Sequence, residues 1–418
     1  MDAVFDAQYL NMKDAFSRED IQIEVAYTPA GEVDYLYEAG HLLAVDNDET
    51  FGLLEPILPR LRRTDPETRP RSGNLVVLSL SEVEGGNLTV PEALDRIDDT
   101  LRDNNPALAE DGVPLVTPVH IMHITKICPA DEPEVPSGYP AQPWPGPSPA
   151  GEGEHDVKMG VSDTGLLQPL DPAEYPWLAG VAGEPDPLGP VLRNGLQAIP
   201  EYTGHGTFVA GVARCMAPGA AVYVNNHFTL SGGAREDVII RKLEELILDY
   251  EPDVINLSAG TYTRRNWAPL SFFFFRQRHQ DLTLVAAAGN DSTNRKFYPA
   301  ALPWTVSVGA LGTDQQNRAW FSNYGNWVDV YALGEGLVNA YATGEYTYQE
   351  PPKRPARQDF AGMARWDGTS FSSPLVAGLI AAEISRTGDP ASVAKDAVLA
   401  TARDMPGVGR VLFPPDGA

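Results

Sequence analysis

Between residue 157 and residue 333 the chain repeats one pattern, a short unbroken apolar run followed by a helical segment. VKMGVS, AAVYVNNHF, DVINLS, LTLVAAAG, WTVSVGAL and WVDVYAL are rich in Val, Ile and Ala and show no alternation of apolar with polar residues. A strand with one wet face alternates; a strand that is apolar throughout is covered on both faces. Helical spacing is read in HGTFVAGVARCM (205–216), EDVIIRKLEELILDY (236–250), LSFFFFRQRHQ (270–280), a helix from Ser370, and PASVAKDAVLATA (390–402). The pattern predicts an α/β fold: a doubly wound, mostly parallel sheet with helices on both faces. In such sheets functional groups collect beyond the carboxyl ends of the strands.

The chain has 418 residues, more than one small core accounts for, and two domains are expected. Residues 128–150 carry eight prolines, so 128–154 reads as an extended, semi-rigid linker. Upstream, residues 1–127 read as a small α+β domain. Strands are expected at 23–27, 41–45, 74–80 and 114–125, with helices at 51–63 and 89–104. Thr89 and Glu92 have capping-box spacing at the start of the second helix. The remaining unit, 155–418, holds the repeating pattern.

Three motifs fall at the predicted carboxyl ends. In VKMGVSDTGL, Asp163 ends an apolar run and precedes a tight turn. In YTGHGTFVAGVA, His205 lies between glycines at the start of a helix of small residues; His41, His120, His123, His155, His227 and His279 have no such frame. In LTLVAAAGND, Asn290 follows an Ala/Gly-rich strand. A fourth stretch, RWDGTSFSSPLVAG (365–378), places Ser370 at a helix start. Each feature has an ordinary structural use: turn Asp, surface His, turn Asn, helix-capping Ser. Each also has a chemical one, because a helix start and a side-chain amide can stabilise a forming anion. Asp-Thr-Gly alone would also suit an aspartic protease, but that chemistry needs two carboxylates, and a second such motif is missing from this chain.

The order Asp, His, Asn, Ser on an α/β chain is the discriminating observation. With SDTG, GHGTFVAG, AAAGN and GTSFSSPLVAG as they stand, residues 155–405 resemble the subtilisin-like serine peptidases, the S8 family. The resemblance implies Ser370 as nucleophile, His205 as general base and acid, Asp163 as the group that orients the imidazole, and Asn290 as oxyanion donor. It implies that Ser258, Ala259 and Gly260 pair with a substrate backbone. Ala287, Ala288 and Gly289 would line the other side of the first specificity pocket. Small residues on both walls predict an open pocket suited to a large apolar side chain. Sedolisin-like peptidases share the Gly-Thr-Ser nucleophile but use a Glu base and an Asp at the oxyanion position, unlike His205 and Asn290. The activity implied is peptide-bond hydrolysis through an acyl-enzyme. A peptide-binding pseudo-peptidase and a transpeptidase or cyclase on the same scaffold are the alternatives. Neither cofactor nor metal is called for.

Other features bound the partners. The formal net charge of −26 disfavours nucleic acid and anionic membrane, leaving a peptide or protein substrate. The first residues have neither a basic nor an apolar leader segment, and apolar runs are too short to span a bilayer, which points to the cytoplasm. Cys128 and Cys215 read as buried thiols, with a linker-to-core bridge as the alternative. Residues 343–365 look like an insertion, most simply a solvated loop, with a rim over the cleft as the functional alternative. Residues 1–127 resemble, in size, position and strand–helix order, the inhibitory prodomains of this family. That resemblance implies contact with the peptidase unit, with 114–125 as the strand sent toward the cleft.

Overall fold

The computed structural model describes residues 3–66, 69, 73–83, 88–101, 114–124, 132–138, 141–149, 153–193 and 196–415. Its centre is a nine-stranded sheet. In spatial order the strands are Arg403–Met405, Gly409–Val411, Val330–Leu333, Thr305–Leu311, Thr283–Ala287, Val254–Leu257, Lys158–Asp163, Ala221–Asn226 and Val181–Gly183. All neighbours pair in parallel except the first two. The apolar runs behave as their composition requires. Val254 faces a core shared with helices His205–Met216 and Thr369–Thr387, while Ile255 and Leu257 face a second core under Glu236–Tyr250 and Leu270–Arg278. Helices 205–216 and 236–250 have the ends expected from the sequence. After Lys158–Asp163 the chain fills one side of the sheet and then crosses to Val254–Leu257 on the other. Asp163 therefore ends a strand at the topological switch point.

Residues 337–366 correct an expectation. The supposed solvated loop is a long antiparallel hairpin, Leu337–Thr347 against Arg357–Trp366, joined by Leu196–Ile199 and Val191–Arg193 into a separate four-stranded sheet. Tyr346 is 1% exposed and Tyr348 8%. They pack with Tyr341, Phe360 and Trp366 into an aromatic layer beside helix 205–216. Lys353 is not simply solvated either, since it pairs with Glu134 of the proline-dense segment. Among its described residues that segment forms no α-helix and no extended strand. Instead it runs along the hairpin, with Glu134 bridged to Arg365 and Trp144 to Val338.

The N-terminal residues form an antiparallel sheet of Ile23–Tyr27, Val33–Val45, Arg62–Arg63, Leu75–Ser79 and Val116–Ile124, with helices Asp48–Leu54 and Val90–Leu101 on one face. The helix expected over 51–63 is shorter, because the chain turns at Pro56 and Pro59 and Arg62–Arg63 become a strand. A helix not anticipated, Ala3–Ser17, packs Phe5, Met12 and Phe16 against Ile23 and Leu36. The sheet does not end with its own strands. Val116–Ile124 pairs antiparallel with Gly233–Arg235 and with Ala259–Gly260 from the peptidase-like unit.

Charged groups frame this junction. Arg264 bonds Asp95 and Asp98, Arg295 bonds Asp34, and Arg235 lies 3.5 Å from Glu38. Deeper in, the His120 ring donates to Glu236 at 2.7 Å, with both side chains almost fully buried. Asn11 donates to Glu201 at 2.9 Å.

Burial, with the charge of Glu132 adding to it, pushes the Glu201 carboxyl up to about 7, while Asn11 opposes the shift. An acid with a raised pKa in the folded chain takes its proton there more readily than in the unfolded chain. Its carboxylate therefore costs stability as the pH rises through about 7. Glu201→Gln is expected to melt above the wild type at pH 9 and level with it at pH 5, read by calorimetry across that range. An equal shift at both pH values would contradict the assignment.

Candidate active site

Asp163 closes the central strand, and its backbone carbonyl accepts from the amides of His227 at 2.7 Å and Phe228 at 3.1 Å. Its Oδ1 accepts from the Thr164 amide at 2.8 Å and from His205 Nδ1 at 2.7 Å. Both side chains are buried, at 1% and 2% exposure, so the bond is shielded from competing water. His205 is the first residue of its helix, and Gly204 before it takes φ +76°, a conformation that favours glycine. Gly206 is required for another reason: a Cβ there would come within 2.4 Å of the Gly165 carbonyl oxygen. The imidazole is walled by Trp366 edge-on at 5.3 Å and Phe371 at 5.2 Å between ring centroids. Phe371 directly follows Ser370, so the wall ties the histidine to the serine's helix.

Ser370 is the second residue of helix Thr369–Thr387, 2% exposed, with its Oγ donating to the Ser258 carbonyl at 3.3 Å. Pro374 lies in the second turn of this helix. Having no N–H, it cannot bond the carbonyl four residues back, which is that of Ser370. Ser258 Oγ supplies the missing donor at 2.7 Å. The Ser258 hydroxyl also accepts from Asn256 Nδ2 at 2.9 Å and meets Ser373 Oγ at 3.1 Å. A four-residue knot of Asn256, Ser258, Ser370 and Ser373 therefore holds the start of the helix to the end of strand Val254–Leu257.

Asn290 follows strand Thr283–Ala287. Its Oδ1 accepts from both the amide and the hydroxyl of Thr369, at 2.9 and 2.8 Å. Two donors on one oxygen fix the orientation of the side-chain amide and leave its NH₂ as the donating end. Thr369 Oγ1 in turn accepts from the Gly289 amide at 3.0 Å.

The sequence reading missed Asp186. It is buried beside the pair, accepting from the amides of Gly204 at 2.7 Å and Leu188 at 2.8 Å and from Thr164 Oγ1 at 3.4 Å. It thus braces the residue after Asp163 and the residue before His205. Burial pushes its carboxyl up to about 6, with the charge of Asp163 adding to the shift and the two amides opposing it. Nothing in the sequence around EPDPLGP distinguishes Asp186 from an ordinary turn Asp. Burial also drives the His227 ring well below its usual range, leaving a neutral imidazole on Ser162 Oγ at 2.6 Å.

The pocket between 258–260 and 287–289 is not open as expected. Phe297, fully buried, lies against both segments: a Cβ on Gly260 would fall 2.3 Å from its Cε1, and one on Gly289 3.2 Å from its Cδ1. Ala259 and Gly260 themselves pair with Ile124 and His123. Among the described residues, no group of three or more His, Cys, Asp or Glu side chains is placed to hold a metal ion. No helix among them is long and apolar enough to cross a membrane. Cys215 is a buried free thiol, and Cys128 lies outside the described residues.

A doubly wound sheet that presents Asp163, His205, Asn290 and Ser370 in that chain order at its carboxyl edge has the subtilisin-like arrangement. A model of the subtilase family matches residues 154–412, and the chain belongs to that family. It is 33% identical over 230 residues to a thermophilic serine proteinase of Bacillus sp. (strain AK1), covering 50% of this chain and 49% of the relative. It is 29% identical over 215 residues to subtilisin NAT of Bacillus subtilis subsp. natto, covering 47% and 51%. The chain thus spans about half the length of the curated relatives it matches. Among solved structures, a cold-adapted subtilisin-like serine proteinase aligns with TM-score 0.47 at 19% identity, over 68% of this chain and 96% of that one. The prenylagaramide maturation protease PagA aligns with TM-score 0.46 at 24% identity, over 61% and 86%.

Replacing Ser258 by Ala removes the buried hydroxyl that donates to the Ser370 carbonyl and accepts from Asn256 Nδ2. Such a loss costs about 1–3 kcal/mol. Urea unfolding of Ser258→Ala is expected to show a loss of that size, whereas a change below about 0.5 kcal/mol would mean that the hydroxyl does not hold the helix start.

Proposed function

We propose that this chain is a serine endopeptidase that cleaves peptide bonds through an acyl-enzyme. The observation that carries the reading is the buried 2.7 Å bond between His205 Nδ1 and Asp163 Oδ1, beside the helix that bears Ser370. With Nδ1 donating to the carboxylate, the neutral ring keeps Nε2 as its basic nitrogen. His205 takes the proton from Ser370 Oγ as the oxygen attacks the scissile carbonyl, then returns it to the leaving amine. Asp163 holds the tautomer and stabilises the imidazolium without itself taking the proton. The tetrahedral oxyanion accepts from Asn290 Nδ2 and from the Ser370 amide at the positive end of the helix. Water then attacks the acyl-enzyme by the same proton route in reverse.

Ser370→Ala is expected to abolish hydrolysis of a peptide substrate with the fold intact by circular dichroism. Asn290→Ala is expected to lower kcat by about 10²–10³ with KM little changed, a magnitude taken from an oxyanion-hole deletion in subtilisin. Retained turnover in Ser370→Ala would overturn the reading. Product masses from one unmodified peptide separate hydrolysis from transfer of the acyl group to a peptide amine.

The N-terminal unit is read as an attached inhibitor. Ile124 and His123 occupy backbone positions on Ala259 and Gly260, and the Ile124 amide donates to the Gly232 carbonyl at 2.9 Å. Those are the positions a substrate strand would take, so docking and substrate binding exclude one another. Asp95 and Asp98 grip Arg264 from outside the cleft. Asp95→Asn/Asp98→Asn is expected to weaken docking and raise the full chain's rate on short peptides. An unchanged rate at low and high salt would argue against the inhibitory role.

A further inference from the structure

We infer that Phe297 restricts the residue whose carbonyl Ser370 attacks to small side chains: glycine, alanine, serine or threonine. The inference rests on the peptidase reading and carries it to a substrate class. That side chain has to enter between Ser258–Gly260 and Ala287–Gly289, the two segments that flank Ser370 and Asn290. The gap is bridged. The Phe297 ring sits close enough to both segments that an added methyl on Gly260 or Gly289 would collide with it or press on it.

The plug is held firmly. Phe297 is fully buried and packs edge-to-face on Tyr262, with 5.2 Å between ring centroids. The Tyr262 hydroxyl donates to Asp291 Oδ2 at 2.6 Å and accepts from Asn323 Nδ2 at 3.1 Å. Asn323 Nδ2 also donates to the Ala288 carbonyl at 2.8 Å, on the pocket wall itself. The Arg295 guanidinium lies over the Tyr262 ring at 4.6 Å. Swinging Phe297 aside therefore disturbs a hydrogen-bonded network as well as a packed ring. A hydrogen, methyl or hydroxymethyl group needs no such movement, whereas a leucine or phenylalanine side chain does. The small residues at 258–260 and 287–289 are then explained differently from the open-pocket expectation: they make room for Phe297, not for the substrate.

The test uses the full chain and peptides that differ only at the residue before the cleaved bond. Ratios of kcat/KM are compared, because a ratio does not depend on what fraction of the molecules has an unblocked cleft. The wild type is expected to prefer alanine to phenylalanine by about 100-fold or more, in the range that apolar pocket fit supplies. Phe297→Gly is expected to raise the rate on the phenylalanine peptide at least tenfold and narrow that ratio, and Phe297→Leu to fall between. The wild-type profile stands as a test even where a variant fails to fold. Wild-type cleavage after phenylalanine or leucine as fast as after alanine would overturn the inference. If no peptide is cut and a fluorophosphonate leaves Ser370 unmodified, the peptidase reading fails. The pocket is then tested by binding of peptides that end in alanine or phenylalanine, where equal affinity overturns the inference.

Discussion

The carboxylate of Asp163 is buried at the end of a central strand, and the turns around it are built to hold it there. Strand Lys158–Asp163 is paired along its length to Ala221–Asn226 and to Val254–Leu257. An ionised group at its end would be costly without partners. The Asp163 carboxylate accepts from the His205 ring and the Thr164 amide, both on Oδ1, while the amides of His227 and Phe228 hold the backbone carbonyl of the same residue. Asp186 then fixes the two glycine-lined turns that bring strand and helix together. Because the strand is central, its end cannot shift without breaking a parallel ladder.

The hairpin Leu337–Trp366 adds a wall that the sheet alone does not supply. Trp366, its last residue, stands edge-on to His205 and also meets Phe208, Tyr341 and Phe371. The hairpin thereby links the histidine's helix to the serine's helix through aromatic contact instead of hydrogen bonds. It is anchored on its outer side by the proline-dense segment, where Glu134 receives both Lys353 and Arg365. A peptide that connects two units also braces the subtilase-like one.

How much of this was legible in the sequence depends on how local each feature is. Helices 205–216 and 236–250 and the six apolar strands follow from runs whose burial requirement is written in consecutive residues. The four motif residues were picked out for the same reason, since Asp163 and Asn290 close apolar runs while His205 and Ser370 open helices. The hairpin was hidden by Pro351, Pro352 and Pro355 and by Lys353, Arg354 and Arg357, which belong to its turn and outer edge while Tyr346 and Phe360 point inward. Helix Ala3–Ser17 buries few apolar residues and the polar Gln8, so its pattern was weak. Asp186 and Phe297 were invisible because their roles exist only in three dimensions. Asp186 reaches Gly204, and Phe297 reaches Gly260, across gaps that no periodicity spans.

The central claim is that Ser370 is made reactive by His205, itself oriented by Asp163. Reaction with a small fluorophosphonate, followed by mass-spectrometric mapping of the modified peptide, addresses it directly. The account predicts modification of the wild type at Ser370 and its loss in His205→Ala, with Ser372 and Ser373 untouched. Modification at another serine, or a rate at Ser370 that does not change when His205 is removed, would contradict it.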